Sequence, residues 1–287
     1  MGEISLQARA KLNLTLDIVG KRSDGYHLLE SVMQSIALAD HILLRKRARG
    51  ITLRVDDPHI PADERNTAWR AAELFLSRLK INSGIEIAIE KNIPCEAGLG
   101  GGSADAAAVL YGLNLLFDTG LSQEDLRQLG VQIGADVPFC LVGGTQLAEG
   151  IGDELTELRH VPQAMFALVK PAAGISTKTV YQSLEPTVFG TEYSKSFIRR
   201  LATGQGWSDL ALELGNVLES VTTKLLPEVN EWKIRLLDFG ALGVLMSGSG
   251  PTVFGVFLDR DLAQAFHDKW QGHGQVILTH PVGRGIG

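Results

Sequence analysis

Strict alternation of apolar and polar residues marks the first clear element of the chain. Every second residue from Leu12 to Ile18 is Leu or Ile, and the residues between them are polar. Because the side chains of a strand point alternately to its two faces, this pattern predicts a half-buried strand. We expect Lys11 and Asn13 to lie side by side on its polar face.

Further apolar runs in the first half of the chain also predict strands. They lie near residues 29–38, 41–45, 51–55 and 84–91. The run at 84–91 alternates strictly, as expected of a strand with one buried face. Together with the first strand, these runs predict a mostly antiparallel sheet.

Apolar residues at helical spacing predict helices among these strands. One helix is expected over residues 66–79, with Asn66 or Thr67 as its N-cap. An Ala-rich helix is expected from about Ser103 to Phe117, directly after a glycine-rich segment. The sequence GADVPF at 134–139 is expected to form a loop.

The pattern changes after about residue 158. The second half predicts strands and helices near residues 165–169, 208–224, 228–239, 242–257 (a strand-turn-strand), 261–271 and 275–279. Such a set favours a smaller α+β unit with its own core. We therefore predict two domains, residues 1–158 and residues 159–287.

Composition narrows the classes of function. A net charge of -6 over 287 residues argues against binding to nucleic acid, which needs clustered Lys and Arg. Cys95 and Cys140 are too few to cross-link a chain of this size, so we expect a reducing, cytoplasmic location. Since no apolar run reaches the roughly 18 residues of a spanning helix, we expect no membrane partner.

The segment PCEAGLGGGSADAA, residues 94–107, carries the strongest chemical signal. Its glycines leave the main-chain amides accessible and permit the positive φ angles of an anion-binding nest. The helix that follows directs its unpaired N–H groups and its positive dipole end at the same anion. The segment therefore predicts a phosphate-binding loop, with a flexible glycine hinge as the alternative.

Other well-known motifs are absent from the sequence. There is no GxxxxGK followed by Ser or Thr, so a Walker A loop is excluded. The dinucleotide pattern GxGxxG fails, because the sixth position counted from Gly98 is Ser103. No HExxH or CxxC pair is present to bind a metal ion.

The glycine-rich segment resembles the ATP-binding motif of the GHMP kinases, which phosphorylate small alcohols. Two further stretches match that family: ARAKLNLTLDIVGKRSDGYHLLES at 8–31 and MSGSGPTVFGVF at 246–257. The resemblance implies a two-domain α+β fold with a mixed or antiparallel N-terminal sheet and a smaller ferredoxin-like C-terminal domain. It also implies an active site in the cleft between them, with ATP and Mg²⁺ as cofactors.

The resemblance implies that the nucleotide binds along the glycine-rich loop. The residues concerned are Pro94, Cys95, Glu96, Ala97, Gly98, Leu99, Gly100, Gly101, Gly102, Ser103 and Ala104. Asn66 matches a family position near the adenine, although an Asn at a helix start is equally explained as a cap. Lys91 closes the strand expected over 84–91 and is expected from that position to approach the nucleotide. No dedicated Mg²⁺-binding Glu is identified, which leaves the metal ligands open with Ser103 as a candidate.

The resemblance assigns the catalytic roles to Lys11 and Asp136. Asp136 would accept the proton of the acceptor hydroxyl, and Lys11 would polarise the same oxygen. Taken alone, Asp136 reads as a turn-stabilising residue and Lys11 as a solvated strand charge. Asn13 is expected to contact the substrate. The turn at Gly248 and Gly250 is expected to close the site against the ATP loop.

The resemblance of the RSDGYH motif to one member of that family implies an acceptor that carries a cytidine diphosphate group. Tyr26 and His27 would meet the cytosine, and Tyr181 would stack on its opposite face. A buried histidine without a ligand is the alternative for His27. Two other functions stay open: a kinase for another small alcohol, such as mevalonate or homoserine, and a non-catalytic sensor on the same fold. We expect a monomer or weak homodimer.

Overall fold

The computed structural model of the chain describes residues 2–185 and 189–287. Its strands, in chain order, are β1 (Glu3–Asn13), β2 (Thr15–Lys21), β3 (His27–Arg47), β4 (Ile51–Val55), β5 (Gly84–Glu90), β6 (Thr145–Glu149), β7 (Glu154–Glu157), β8 (Met165–Lys170), β9 (Gly215–Asn216), β10 (Gly243–Met246), β11 (Val253–Phe257) and β12 (Gln275–Thr279). Its helices are α1 (Thr67–Arg78), α2 (Gly101–Phe117), α3 (Gln123–Gly130), α4 (Val137–Val142), α5 (Thr177–Gln182), α6 (Tyr193–Ala202), α7 (Trp207–Leu210), α8 (Glu219–Leu225), α9 (Glu228–Asp238) and α10 (Arg260–Trp270), with a 3₁₀ turn at Ala211–Glu213. Over these ranges, none of the helices has the length and apolar character needed to cross a bilayer.

The larger sheet is built around the long strand β3. This strand pairs antiparallel with β1, β2, β5 and β6, while β4 joins β5 in parallel. The sheet is therefore mixed and mostly antiparallel, as predicted. Helices α1 and α2 pack together, and α2 lies against β1 and β3. Because a Cβ at Gly112 would collide with Leu6 and Leu44, the small residues of α2 allow this close approach.

The smaller sheet has four antiparallel strands in the order β10-β11-β8-β12. Strand order and connections match a βαββαβ ferredoxin-like unit, which confirms the predicted fold class. Its helices α9 and α10 pack on the strands. Trp232, Phe257 and Phe266 lie in the buried cluster beneath them.

Two short segments of the second half of the chain join the larger sheet. Strand β9 pairs in parallel with β2. At the end of the chain, the N–H of Gln7 donates to the carbonyl oxygen of Gly287 at 2.9 Å. Both segments lie after residue 158 but pair with strands that lie before it. The division at residue 158 stays a prediction.

The first strand differs from its prediction in two ways. The alternating segment is divided at Leu14 between β1 and β2. Its polar positions are buried along with its apolar ones: Lys11, Asn13, Thr15 and Asp17. The prediction of an exposed face was wrong because other elements cover that face. For example, Asp17 accepts the backbone N–H of Ser194 at the start of α6.

Two other segments also differ from their predictions. The GADVPF segment was expected to be a loop, but α4 begins within it at Val137. Pro138 favours this start, because proline fits the first turn of a helix. The helix expected over 208–224 is interrupted, since β9 lies between α7 and α8.

Candidate active site

A cleft of about 1120 Å³ gathers almost every residue singled out from the sequence. Its walls include Lys11, Asn13, Tyr26, His27, Asn66, Lys91, Pro94, Cys95, Glu96, Ala97, Gly98, Leu99, Gly100, Gly101, Gly102, Ser103, Asp136 and Tyr181. Ala104 is the exception, because its side chain is buried in the core. Its N–H donates to the carbonyl oxygen of Gly100 at 2.8 Å. The contact of Ala104 with the nucleotide stays a prediction.

The glycine-rich loop ends in the first turn of α2. Gly98 and Gly100 have φ angles of 72° and 73°, in the left-handed region. Gly100 is the N-cap, so α2 begins at Gly101, two residues earlier than predicted. The first N–H groups of a helix have no intrahelical acceptor, and here they open on the cleft. A phosphate group is the ligand that suits such an end.

The loop glycines are required by contacts with the protein as well as by the space a phosphate needs. A Cβ at Gly98 would overlap the main-chain oxygen of Ser247, in the turn between β10 and β11. A Cβ at Gly100 would lie 3.0 Å from Cγ of Lys11. The loop therefore packs directly on β1 and on that turn. The glycine pattern in the sequence predicted the space for a ligand but not these contacts within the protein.

Lys11 brings a buried positive charge to the loop. Its Nζ donates to Oδ1 of Asn13 at 2.5 Å and lies 3.8 Å from Oδ2 of Asp136. Its main-chain N–H donates to the carbonyl oxygen of Leu99 at 3.0 Å. The side chain of Lys11 is 5% exposed, whereas that of Asp136 is 36% exposed. The structure thus places an ammonium beside a carboxylate that is open to the cleft.

Asp136 occupies the N-cap position of α4 without acting as a cap. Its side chain makes no capping hydrogen bond. The alternative interpretation, a turn-stabilising residue, is therefore not supported. A carboxylate that is open to the cleft and makes no capping hydrogen bond can accept a proton from a bound hydroxyl group. The neighbouring ammonium of Lys11 can stabilise a developing oxyanion.

Asn13 has a different environment from the one expected. Its Oδ1 is occupied by Lys11, and its Nδ2 donates to Oγ of Ser31 at 2.7 Å. Its main-chain N–H donates to Oγ of Ser247 at 3.2 Å. Both ends of the amide are therefore engaged within the protein, and a contact of Asn13 with the substrate stays a prediction.

Two serines of the β10–β11 turn link the parts of the site. Oγ of Ser247 donates to the carbonyl oxygen of Gly98 at 3.0 Å. Oγ of Ser249 lies 2.8 Å from Oγ1 of Thr177, at the start of the helix that carries Tyr181. Only the glycines of this MSGSGP segment were predicted to matter, and its two serines are the signal in the sequence that could have revealed this link.

Lys91 reaches the wall of the cleft, but its charge is already neutralised. Its Nζ bonds to Oδ2 of Asp40 at 2.5 Å and to Oδ2 of Asp105 at 2.7 Å. Burial alone would lower the pKa of Lys91, but the two carboxylates outweigh burial and raise it. Proximity of Lys91 to the nucleotide stays a prediction, while the salt bridges indicate a role in holding the loop to α2.

Asp105 is a carboxyl group with an unusual affinity for protons. Burial raises its pKa to about 7, with Lys91 opposing and Asp40 adding to the rise. Because the pKa is higher in the folded state, this group stabilises the fold at low pH. The contribution is complete below about 4, the ordinary value, and is lost as the pH rises through about 7.

The variant Asp105→Asn is expected to remove this pH dependence. Between pH 5 and pH 8 the wild-type protein should lose free energy of unfolding relative to the variant. Urea unfolding of both proteins at intervals of one pH unit measures the difference. Curves that run parallel across this range would contradict the raised pKa.

Asn66 acts as the N-cap of α1. Its Oδ1 accepts the N–H of Ala68 at 2.9 Å, and its Nδ2 donates to the carbonyl oxygen of Pro61 at 2.9 Å. The capping alternative raised from the sequence is therefore present in the structure. A contact with adenine stays a prediction.

Aromatic side chains form another part of the cleft wall. The rings of His27 and Tyr181 lie 5.5 Å apart at 36°, and Phe189 meets His27 edge-on at 6.0 Å. Tyr26 is 62% exposed. Burial and the charge of Lys21 lower the pKa of His27, so its imidazole is neutral near pH 7. A neutral ring can both donate and accept hydrogen bonds, which suits the edge of a base.

The comparison with protein families identifies both halves of the chain. Residues 66–144 match the model described as GHMP kinases N terminal domain. Residues 198–276 match the model described as GHMP kinases C terminal. A relative from Acetivibrio thermocellus, named 4-diphosphocytidyl-2-C-methyl-D-erythritol kinase, is 47% identical over 257 residues, or 90% of this chain and 91% of the relative.

Solved structures show the same architecture. The crystal structure of 4-(cytidine 5'-diphospho)-2C-methyl-D-erythritol kinase has a TM-score of 0.81 at 33% identity, covering 98% of this chain and 100% of that chain. A homoserine kinase from Cytophaga hutchinsonii also has a TM-score of 0.81, at 22% identity, covering 100% and 97%. At that lower identity the likeness shows the fold alone.

Proposed function

Since the chain belongs to the GHMP kinase family, we propose that it transfers the γ-phosphate of ATP to the 2-hydroxyl of 4-diphosphocytidyl-2-C-methyl-D-erythritol. This reaction belongs to the non-mevalonate route to isoprenoid precursors. The chemical step is supported by one observation: Nζ of Lys11 lies 3.8 Å from Oδ2 of Asp136, beside the phosphate loop. A phosphoryl acceptor placed there meets an ammonium and a carboxylate together.

Phosphoryl transfer requires in-line positioning and positive charge more than covalent catalysis. The amides of Gly101, Gly102 and Ser103 would bind the phosphates of ATP at the start of α2. Asp136 would orient the acceptor hydroxyl and take its proton. Lys11 would stabilise the negative charge that develops on that oxygen.

Mg²⁺ is part of the proposal as the partner of the ATP phosphates. The described residues contain no group of three His, Cys, Asp or Glu side chains that would hold a metal ion. Mg²⁺ commonly takes only one or two protein ligands and completes its shell with phosphate and water. Asp105 is already shared with Lys91, so the Ser103 hydroxyl at the cleft is the ligand that fits. The bound ion would supply neutralisation of phosphate charge.

The acceptor would be recognised through its cytosine. Tyr26, His27 and Tyr181 line the cleft, where a planar base can stack and form hydrogen bonds at its edge. Mevalonate and homoserine have no such ring. The shared fold of a homoserine kinase does not choose between these alcohols, so the aromatic residues favour the cytidine compound.

The variant Tyr181→Ala is expected to raise KM for the cytidine acceptor. Loss of one stacking partner costs about 1–3 kcal/mol, or about 5- to 150-fold. KM for ATP should stay within about twofold, because the phosphate loop is not touched. Tyr111→Ala, on α2 and outside the cleft, is the matched control and should change neither constant. An equal rise in both KM values would contradict the assignment.

An ADP-release assay with three alcohols tests the function directly. The protein is supplied with ATP, Mg²⁺ and either the cytidine compound, mevalonate or homoserine. We expect turnover with the cytidine compound and a far lower kcat/KM with the other two. Turnover with mevalonate or homoserine alone would favour another alcohol kinase. No turnover with any of them would favour a sensor.

The remaining expectations concern the state of the protein in the cell. We propose a cytoplasmic location, which agrees with the two free cysteines Cys95 and Cys140. We also propose a monomer or weak homodimer, which sedimentation at several concentrations would test.

A further inference from the structure

We propose that Ser31 is a positioning residue for the kinase reaction, acting through Asn13 on the ammonium of Lys11. The inference rests on the proposed function for its kinetic part. Ser31 lies on β3, is fully buried and is not part of the cleft wall. It therefore acts from behind the site, and its effect must pass through a neighbouring side chain.

The direction of each hydrogen bond determines what Ser31 does. A serine hydroxyl has a single hydrogen. Oγ of Ser31 donates it to the carbonyl oxygen of Thr15 at 2.6 Å. Toward Asn13, at 2.7 Å, the same oxygen can only accept. Ser31 thus requires the NH₂ group of the Asn13 amide on its side.

That requirement fixes the other end of the amide. With Nδ2 directed to Ser31, Oδ1 of Asn13 faces Nζ of Lys11 at 2.5 Å. The flipped amide would bring NH₂ against the ammonium, and two donors would then face each other. The arrangement therefore holds Oδ1 of Asn13 as an acceptor beside Lys11. This acceptor keeps Nζ of Lys11 in a defined position, 3.8 Å from Oδ2 of Asp136.

The network behind Ser31 is itself held in place. Oγ1 of Thr15 accepts the N–H of Val32 at 2.9 Å and lies 2.8 Å from Oγ of Ser194. All of these side chains are buried, where hydrogen bonds are strong and an unsatisfied group is costly. A rigid support of this kind limits the positions available to Lys11.

Ser31→Ala is expected to lower kcat by roughly 5- to 30-fold, the factor that corresponds to one lost buried hydrogen bond. Without the acceptor at residue 31 the Asn13 amide is free to flip, and Lys11 loses its fixed partner. KM for ATP and for the cytidine acceptor should stay within about twofold. Ser31→Cys, similar in size and a weaker acceptor, should give a smaller loss and serves if the alanine variant does not fold.

Ser35→Ala is the matched control. Ser35 lies on the same strand and is also buried. In the described part of the chain its hydroxyl has no hydrogen-bond partner. The same oxygen atom is removed, so kcat should stay within about twofold. An equal loss of kcat in Ser35→Ala would show that any cavity in this strand lowers activity, and would overturn the proposal.

A double-mutant cycle separates positioning from a general structural effect. If Ser31 acts through Asn13, adding Ser31→Ala to Asn13→Ala should change kcat no further. If Ser31→Ala lowers kcat by the same factor in the Asn13→Ala variant as in the wild type, the proposal is wrong.

An NMR measurement tests the contact without any substrate. The side-chain NH₂ of Asn13, identified by its absence in Asn13→Ala, should exchange slowly with solvent in the wild type and in Ser35→Ala. In Ser31→Ala it should exchange faster. If the NH₂ of Asn13 exchanges as slowly in Ser31→Ala as in the wild type, the proposal is overturned. If the wild-type protein shows slow exchange but no kinase activity, the proposed function alone is contradicted.

Discussion

Replacing Asp136 by Asn is expected to lower kcat by roughly 10²- to 10⁴-fold, the usual contribution of a positioned general base. The amide has nearly the same shape but cannot take the proton of the acceptor hydroxyl. It also removes the charge that lies 3.8 Å from Nζ of Lys11. ATP affinity should remain nearly unchanged, because the phosphate loop lies on other elements.

The position of Asp136 makes this variant easy to interpret. Its side chain makes no capping hydrogen bond to α4, so any fall in the melting temperature reports the loss of the carboxylate beside the buried ammonium of Lys11. Asp153→Asn removes one negative charge just beyond Gly152, which lines the cleft, and should leave kcat within about twofold. Steady-state kinetics measures kcat, and calorimetric titration measures the affinity for ATP. A parallel loss of ATP affinity would assign Asp136 to binding.

Replacing Gly98 by Ala is expected to cost about 2–5 kcal/mol in the free energy of unfolding, or to displace the loop and abolish ATP binding. A left-handed backbone costs an alanine about 1–2 kcal/mol, and forcing an atom into a packed region adds about 1–3 kcal/mol. The new Cβ would overlap the main-chain oxygen of Ser247, which cannot move aside as a flexible side chain can.

Gly120→Ala separates the two costs. Gly120 has a φ angle of 66°, close to the 72° of Gly98, but no atom lies within 4 Å of its Cβ position. Only the backbone cost should appear there, and ATP binding should be normal. Thermal unfolding and titration with ATP report both quantities. If Gly98→Ala were no worse than Gly120→Ala, the contact between loop and turn would not matter.

Lys91 has a structural role beside the phosphate loop through its two salt bridges. A lysine at the end of a strand beside a phosphate loop suggests a ligand for phosphate. In the structure its ammonium is shared by two buried carboxylates, Asp40 and Asp105. Removing one partner of such a group is costly, because a charge is left unpaired in the interior. Lys91 therefore supports the loop through these two salt bridges.

Local patterns in the sequence were sufficient for several parts of the site. Alternation placed Lys11 and Asn13 side by side, since a strand has a period of two. Glycines before an Ala-rich segment predicted the loop at the start of α2, because backbone freedom and helix propensity depend on near neighbours. Resemblance to the GHMP kinases supplied the domain types and the importance of Asp136.

Tertiary structure alone decided which distant residues meet. The proximity of Lys11 to Asp136, the closure of Ser247 on Gly98 and the support of Asn13 by Ser31 each join separate parts of the chain. Burial of the polar face of β1 also depends on what packs over it. Contacts of this kind follow from how whole elements pack, and no period in the amino-acid sequence encodes them.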